Sequence, residues 1–124
     1  MTVTFTDREL DVMAVLWELD SATVAEVQER LTDELAYTTV LTILRTLEEK
    51  GHVRHEEEGR AYRYYPLVDR EAAGASAVRR LVRKLFAGSP EMLLTQLVQE
   101  RGLTADQLEA MRRLLEERLG EEEV

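Results

Sequence analysis

Cysteine is absent from these 124 residues. That removes disulfides, thiolate nucleophiles and cysteine-bound metals at once, and it fits a reducing compartment. Long apolar runs are absent too. The longest, Val12 to Trp17, is six residues, against the roughly 18 that crossing a bilayer needs. The amino terminus shows no basic region followed by an apolar one, so no secretory leader is read there. A cytoplasmic protein with no membrane partner is the expectation. There is no glycine-rich phosphate loop and no serine beside an obvious base. Histidine is scarce: His52 and His55 are the two. They fall three apart on an expected strand, where side chains alternate, so they point to opposite faces and do not chelate one ion. Both are read as solvated, as are carboxylate pairs such as Glu48–Glu49. The expectation is no enzyme: no catalytic residue, no metal site and no cofactor.

What is present is ordinary for a globular chain. The hydrophobic fraction is 44%, too high for general disorder. The length suits one domain, or a small domain with an appendage. The net charge of −9 opposes nucleic-acid binding at first sight, but its distribution is uneven. Residues 1–36 hold two arginines against nine acids, whereas residues 37–70 hold six basic residues and six acids. A locally basic face on an acidic body still steers DNA, with less non-specific binding than a basic protein shows.

Along the chain, Thr6 with Glu9 forms a capping box and opens a helix whose Leu10, Met13, Leu16 and Trp17 make an apolar stripe. Asp20–Ser21 ends it. Thr23 with Glu26 is a second capping box, followed by Val24, Val27 and Leu31 at helical spacing. A third helix runs from Tyr37 to Lys50, with Val40, Ile43, Leu44 and Leu47 on its inner side. Gly51 is its expected C′ residue, since glycine accepts the left-handed conformation. Two strands follow, about 52–57 and 60–65, with Glu58–Gly59 as the turn and Pro66 closing the hairpin.

The outer face of the third helix carries Thr38, Thr39, Thr42, Arg45 and Thr46. Threonine is a poor helix former, and tertiary packing alone explains a short helix of this kind. The functional reading is hydroxyl to phosphate or base, methyl to thymine methyl, and Arg45 to guanine or phosphate. Tyr37, at the helix start, is placed to reach a phosphate. In the hairpin, Arg60 sits beside the Gly59 turn, and Arg63 joins it on the DNA side, whereas Tyr62 and Tyr64 share a strand face and read as core. A hydroxyl-rich helix followed at once by a basic hairpin is the pattern of a winged helix-turn-helix.

After Asp69 only helix signals remain: about 71–86, a helix with Ser89 as N-cap and Pro90 at N1, and about 105–119 capped by Thr104 and Gln107, with Glu121–Glu123 frayed. Leu81, Leu85, Leu93, Leu97, Leu108, Met111 and Leu115 are among the apolar residues of this segment. Some 50 residues do not bury that much apolar surface alone, since chains below roughly 40–60 residues have marginal cores. A second copy of the segment supplies the missing partner. The expected architecture is mainly α with a small β-hairpin: a winged helix-turn-helix DNA-binding domain over 1–70 and a helical dimerisation domain over 71–124.

Five stretches carry a family resemblance: TDRELDVMAVLWE at 6–18, ATVAEVQERL at 22–31, AYTTVLTILRTLEEKG at 36–51, GRAYRYYP at 59–66 and FAGSPEMLLTQLV at 86–98. The chain resembles the penicillinase-repressor family, the BlaI/MecI-type winged-helix transcriptional repressors, over nearly its whole length. The resemblance implies a homodimer on a palindromic double-stranded DNA operator, controlling β-lactam-resistance or stress genes. It also implies, for some members, a regulatory protease acting on the carboxy-terminal segment. In staphylococcal-type members the cut falls in an Asn-Phe pair; the matching positions here are Gln96–Leu97. The cysteine motif of copper-responsive relatives is missing, which excludes copper sensing of that kind. The alternative is a winged-helix protein-protein interaction module without DNA binding, for which the acidic first helices speak. A repressor sensing a small molecule ranks lower, because no convergent polar cluster stands out.

Overall fold

The computed structural model describes residues 4–123. The elements run α1 (Asp7–Leu19), β1 (Ala22–Thr23), α2 (Val24–Arg30), α3 (Tyr37–Glu49), β2 (Val53–Glu58), β3 (Ala61–Pro66), α4 (Arg70–Lys84), α5 (Pro90–Val98) and α6 (Ala105–Glu122). Two compact units divide between Arg79 and Arg80, inside α4.

In the amino-terminal unit both capping boxes form as their spacing predicts. Thr6 Oγ1 accepts from the Glu9 N–H at 3.2 Å, and Glu9 Oε1 accepts from the Thr6 N–H at 2.8 Å. Thr23 and Glu26 repeat the pattern on α2. The core is built from Val12, Met13 and Leu16 of α1, Val24 and Val27 of α2, and Val40, Leu44 and Leu47 of α3, closed by Val53 and Tyr64.

The inner side of α1 differs from expectation. It is Glu9, Val12, Met13, Val15 and Leu16, while Leu10 is 41% exposed. Val12, Met13 and Leu16 fill the core, and Lys50 Nζ, at the end of α3, donates to Glu9 Oε1 at 2.8 Å. That contact satisfies Glu9 on the inner side, while Leu10, about 100° further round the helix, faces out. Trp17 is half-buried, its Nε1 donating to the Val68 carbonyl at 2.8 Å.

Burial pushes the Glu9 carboxyl up, but the Lys50 hydrogen bond, the Thr6 N–H and the Lys50 charge together hold it below the usual range. The pair therefore stabilises the fold above the ordinary carboxylate range, and that contribution fades as pH falls through the lowered value. Lys50→Met strands a buried carboxylate. Because the Lys50 side chain is itself 38% exposed, the expected loss is about 1–2 kcal/mol, below that of a fully buried pair. That deficit should be largest near neutral pH and shrink in acid, where Glu9 is protonated in both proteins; urea midpoints read by circular dichroism across pH check this.

The exit from α3 is a Schellman motif around Gly51, whose φ is 83°. Gly51 N–H donates to the Glu48 carbonyl and His52 N–H to the Leu47 carbonyl, both at 3.0 Å. His52 is thus occupied in capping the helix, and both strands start one residue later than expected, at Val53 and Ala61. His52 is also buried, its ring 4.9 Å from that of Phe5, and not solvated as the sequence suggested. Glu58 pairs with Ala61, so the turn is Gly59–Arg60. Gly59 takes φ 64° at the first turn position, where a side chain would be strained. A third strand, β1, joins the hairpin in the order β1-β3-β2, all antiparallel. Its two residues are too short to give a periodicity signal.

In the carboxy-terminal unit, Ser89 caps α5 with Pro90 at N1, and Thr104 with Gln107 caps α6 by a capping box. α6 runs to Glu122 where fraying from Glu121 was expected. Arg118 ties that end down, reaching Glu122 at 2.6 Å and Glu121 at 3.5 Å, one turn on. No residue of α5 or α6 is buried. No helix among the described residues is long and apolar enough to cross a membrane.

Candidate nucleic-acid interface

α3 is held by its apolar side, so its other side is free. Thr38, Thr42 and Arg45, at i, i+4 and i+7, form one exposed ridge. Thr39 is exposed beside it, Thr46 is half-buried on the same shoulder, and Tyr37 stands on the other shoulder, 45% exposed. Thr42 Oγ1 donates to the Thr38 carbonyl at 2.9 Å and Thr46 Oγ1 to the Thr42 carbonyl at 3.0 Å. Those two hydroxyls spend their protons on their own helix, leaving a lone pair and a methyl outward.

The amino terminus of α3 was not singled out in the sequence, although the signal was there. Ala36 stands at the N-cap and offers no side-chain hydrogen bond. Among the described residues the other helices all receive one, from Thr6, Thr23, Asp69, Ser89 and Thr104. The first N–H groups of α3 therefore lack side-chain acceptors, at the end where the helix dipole is positive. Gln28 fixes this end by donating its Nε2 to the Leu35 carbonyl at 2.9 Å.

The hairpin arginines divide sharply. Arg60, in the turn, is exposed and makes no ion pair or hydrogen bond among the described residues. Arg54 is spoken for: it reaches Glu56 at 2.7 Å and lies 4.2 Å over the Tyr65 ring. Arg63 is engaged internally as well, with Glu58 at 3.1 Å, Glu26 at 3.2 Å and Ser21 at 3.3 Å. The Glu58 hydrogen bonds first, then the Glu26 and Glu58 charges, hold its guanidinium further in the charged form. Arg63 thus ties the hairpin to α2 and the α1–β1 turn, and does not project freely beside Arg60.

Glu48, read in the sequence as a solvated acid, is a clamp. Its carboxylate accepts from the His55 N–H at 3.1 Å and contacts His55 Nδ1 at 2.7 and 2.8 Å. Because a carboxylate only accepts, Nδ1 carries the proton. The His55 ring lies between Tyr62 and Tyr64, at centroid distances of 4.8 and 5.4 Å. Tyr64 is buried and Tyr62 exposed, so the two tyrosines share a strand face but not an environment. Burial, then the Glu48 charge, push the Tyr64 phenol up. No sequence signal announces this clamp, since its partners lie seven residues apart across a helix end. It pins the hairpin to the ridge helix and turns one acid away from the ridge. His52 and His55 do not come together.

Three helices, a three-stranded sheet and a hairpin whose tip carries the exposed Arg60 define a winged-helix DNA-binding domain. Residues 5–117 match the profile of the penicillinase repressor family. Over 115 residues the chain is 37% identical to the transcriptional regulator BlaI of Mycobacterium tuberculosis, covering 90% of this chain and 82% of that protein. It is 26% identical over 113 residues to the penicillinase repressor of Bacillus licheniformis, covering 90% and 88%. The solution structure of the DNA-binding domain of the repressor BlaI aligns at TM-score 0.51 with 34% identity, over 58% of this chain and 93% of that one. The monomeric form of Bacillus licheniformis BlaI, solved in complex with the blaP half-operator, aligns at TM-score 0.50 with 34% identity, over 58% and 90%. The chain belongs to the penicillinase repressor family, whose members are DNA-binding transcriptional repressors and not enzymes.

Proposed function

We propose that this chain is a homodimeric, cytoplasmic repressor that binds a palindromic operator, one winged-helix domain per half-site. The exposed ridge Thr38–Thr42–Arg45 on α3 carries the reading. α3 enters the major groove, where Arg45 reads guanine or holds phosphate, and Thr42 and Thr46 present methyls to thymine and lone pairs to base amino groups. Tyr37, Thr38 and Thr39 meet the phosphate backbone at the uncapped end of α3. Arg60 meets the flanking phosphates or minor groove. Arg63 acts through the hairpin it braces. The half-operator complex of the Bacillus licheniformis relative supports this use of the domain.

Functionally, residues 1–70 read DNA and residues 71–124 dimerise. Of the expected dimer residues, Leu81, Leu85, Leu97, Leu108 and Leu115 are exposed in the single chain, and Leu93 and Met111 half-buried. That much uncovered leucine on α4–α6 supports a second copy as its cover. The regulated genes, by family, are those of β-lactam resistance or stress. Release by a regulatory protease acting on the carboxy-terminal segment is the proposed off-switch, at a bond other than the Asn-Phe pair that Gln96–Leu97 replaces.

The test is fluorescence anisotropy on the upstream DNA and on random duplex, titrated with salt. Two protomers per site with a clear preference for the upstream duplex are expected. Equal weak binding to both, with a partner retained after Arg45→Ala, overturns the reading in favour of a protein-binding module. In the same assay Arg60→Ala should weaken binding to every sequence and reduce the salt slope by about one. An unchanged slope removes Arg60 from the phosphate contacts.

A further inference from the structure

α4 and α6 carry opposite charge. Residues 70–84 hold five basic residues and one acid, an excess of four positive; residues 105–123 hold seven acids and three arginines, an excess of four negative. On α4 the cations are grouped. Arg79, Arg80, Arg83 and Lys84 follow the i, i+1, i+4, i+5 pattern and so cover one side, with Val78, Leu81, Val82 and Leu85 on the other. All four are exposed, and none makes an ion pair or hydrogen bond among the described residues.

α6 has the converse problem. Arg112 takes up Glu109 and Glu116, and Arg118 takes up Glu121 and Glu122. Asp106 and Glu117, eleven residues apart and so on one side of the helix, have no such partner among the described residues; Arg113 shares that side, also without an ion pair, and leaves it an excess of one acid that Glu121 extends. The end of α6 is acidic with no basic residue in its last turn, where the helix carbonyls are already negative. The acids of the last turn, unlike Asp106 in the first, oppose their own helix. An external cation relieves them.

We propose that, in the dimer, the basic side of α4 from one copy receives the acidic side of α6 from the other. The assignment rests on the dimer reading above and adds what sets its register. A two-fold axis makes the contact twice, once for each pair of helices. The charged sides border the apolar ones on both helices, as flanking charges border a coiled-coil seam, so they fix alignment while leucines supply the buried area. Phosphates of DNA would take up the α4 cations but leave the α6 acids opposed. A second copy answers both.

The experiment uses three full-length proteins: the parent, Arg80→Glu/Arg83→Glu, and Glu117→Lys/Glu121→Lys, studied by analytical ultracentrifugation over a range of salt. The parent dimer should weaken as salt rises, and each reversed protein should dissociate about tenfold or more readily, like charges now facing each other twice. An equimolar mixture of the two should form a heterodimer near parental strength, because both contacts are again oppositely charged; that recovery also shows both variants folded. Reversed homodimers as tight as the parent, or no preference for the heterodimer, overturn the proposal and leave the dimer to apolar contact alone. Intact dimers with operator affinity lost only in the α4 variant give those cations to DNA. A parent that is monomeric at every concentration removes the dimer reading itself.

Discussion

Leu97→Asp with Leu115→Asp should turn the protein into a folded monomer and lower its operator affinity by about 10²–10⁴-fold. Both leucines are substantially exposed in the single chain, at 45% and 50%, so replacing them removes little from the fold of one protomer. In the proposed dimer each would place two carboxylates in an apolar interface, a penalty of several kcal/mol unless they neutralise. The DNA effect comes from lost bivalency: with two readers joined, the second half-site is bound at millimolar effective concentration, and severing the join forfeits a factor of about 10²–10⁴. Half-site binding should be almost unchanged. Sedimentation decides the first part, and anisotropy on full and half operators the second. An intact dimer in the double variant would move the interface elsewhere on the chain.

Tyr64→Ala should cost the winged-helix unit about 3–5 kcal/mol, the range for deleting a large buried aromatic. Tyr64 is 1% exposed and is among the largest fully buried side chains. It sits on the central strand, opposite Ala22 of β1 and His55 of β2. Its ring supports the His55 ring that Glu48 clamps to α3. Removing it opens a cavity and unseats the hairpin together. Against a total stability of about 5–15 kcal/mol for an ordinary domain, that is roughly a fifth or more. Tyr64→Phe keeps the ring and should lose about 1 kcal/mol or less. Urea unfolding of the two variants would test this; equal midpoints for Tyr64→Ala and the parent would mean the core closes without the ring.

The elements most legible in the sequence are those made by neighbours. The capping boxes at Thr6, Thr23 and Thr104 need only residues three apart, and all three form. The Val40–Leu44–Leu47 stripe needs only helical spacing, and all three residues are fully buried. Gly51 and Gly59 take the positive φ that their positions demand. Less legible was anything made by distant partners. Arg63 and Arg60 look alike in sequence, yet Glu26 and Ser21, some forty residues back, engage Arg63, while Arg60 has no partner among the described residues. Leu10 and Val12 are both apolar, yet Val12 packs into the core with residues of α2 and α3 while Leu10 stays 41% exposed. β1 exists only because β3 offers an edge to pair with.

The sequence by itself determined the helix boundaries to within a few residues, the hairpin, the ridge on α3 and the surplus of leucine after residue 80. It did so because periodicity, capping and turn chemistry are set over three to seven residues. Tertiary structure alone decided which cations of the hairpin are spent and which are free, that Glu48 faces the wing and not the ridge, and that His52 is buried. Those outcomes depend on charges and rings brought together across tens of residues, and a hydrogen bond of 2.7 Å carries no trace in the spacing of its partners along the chain.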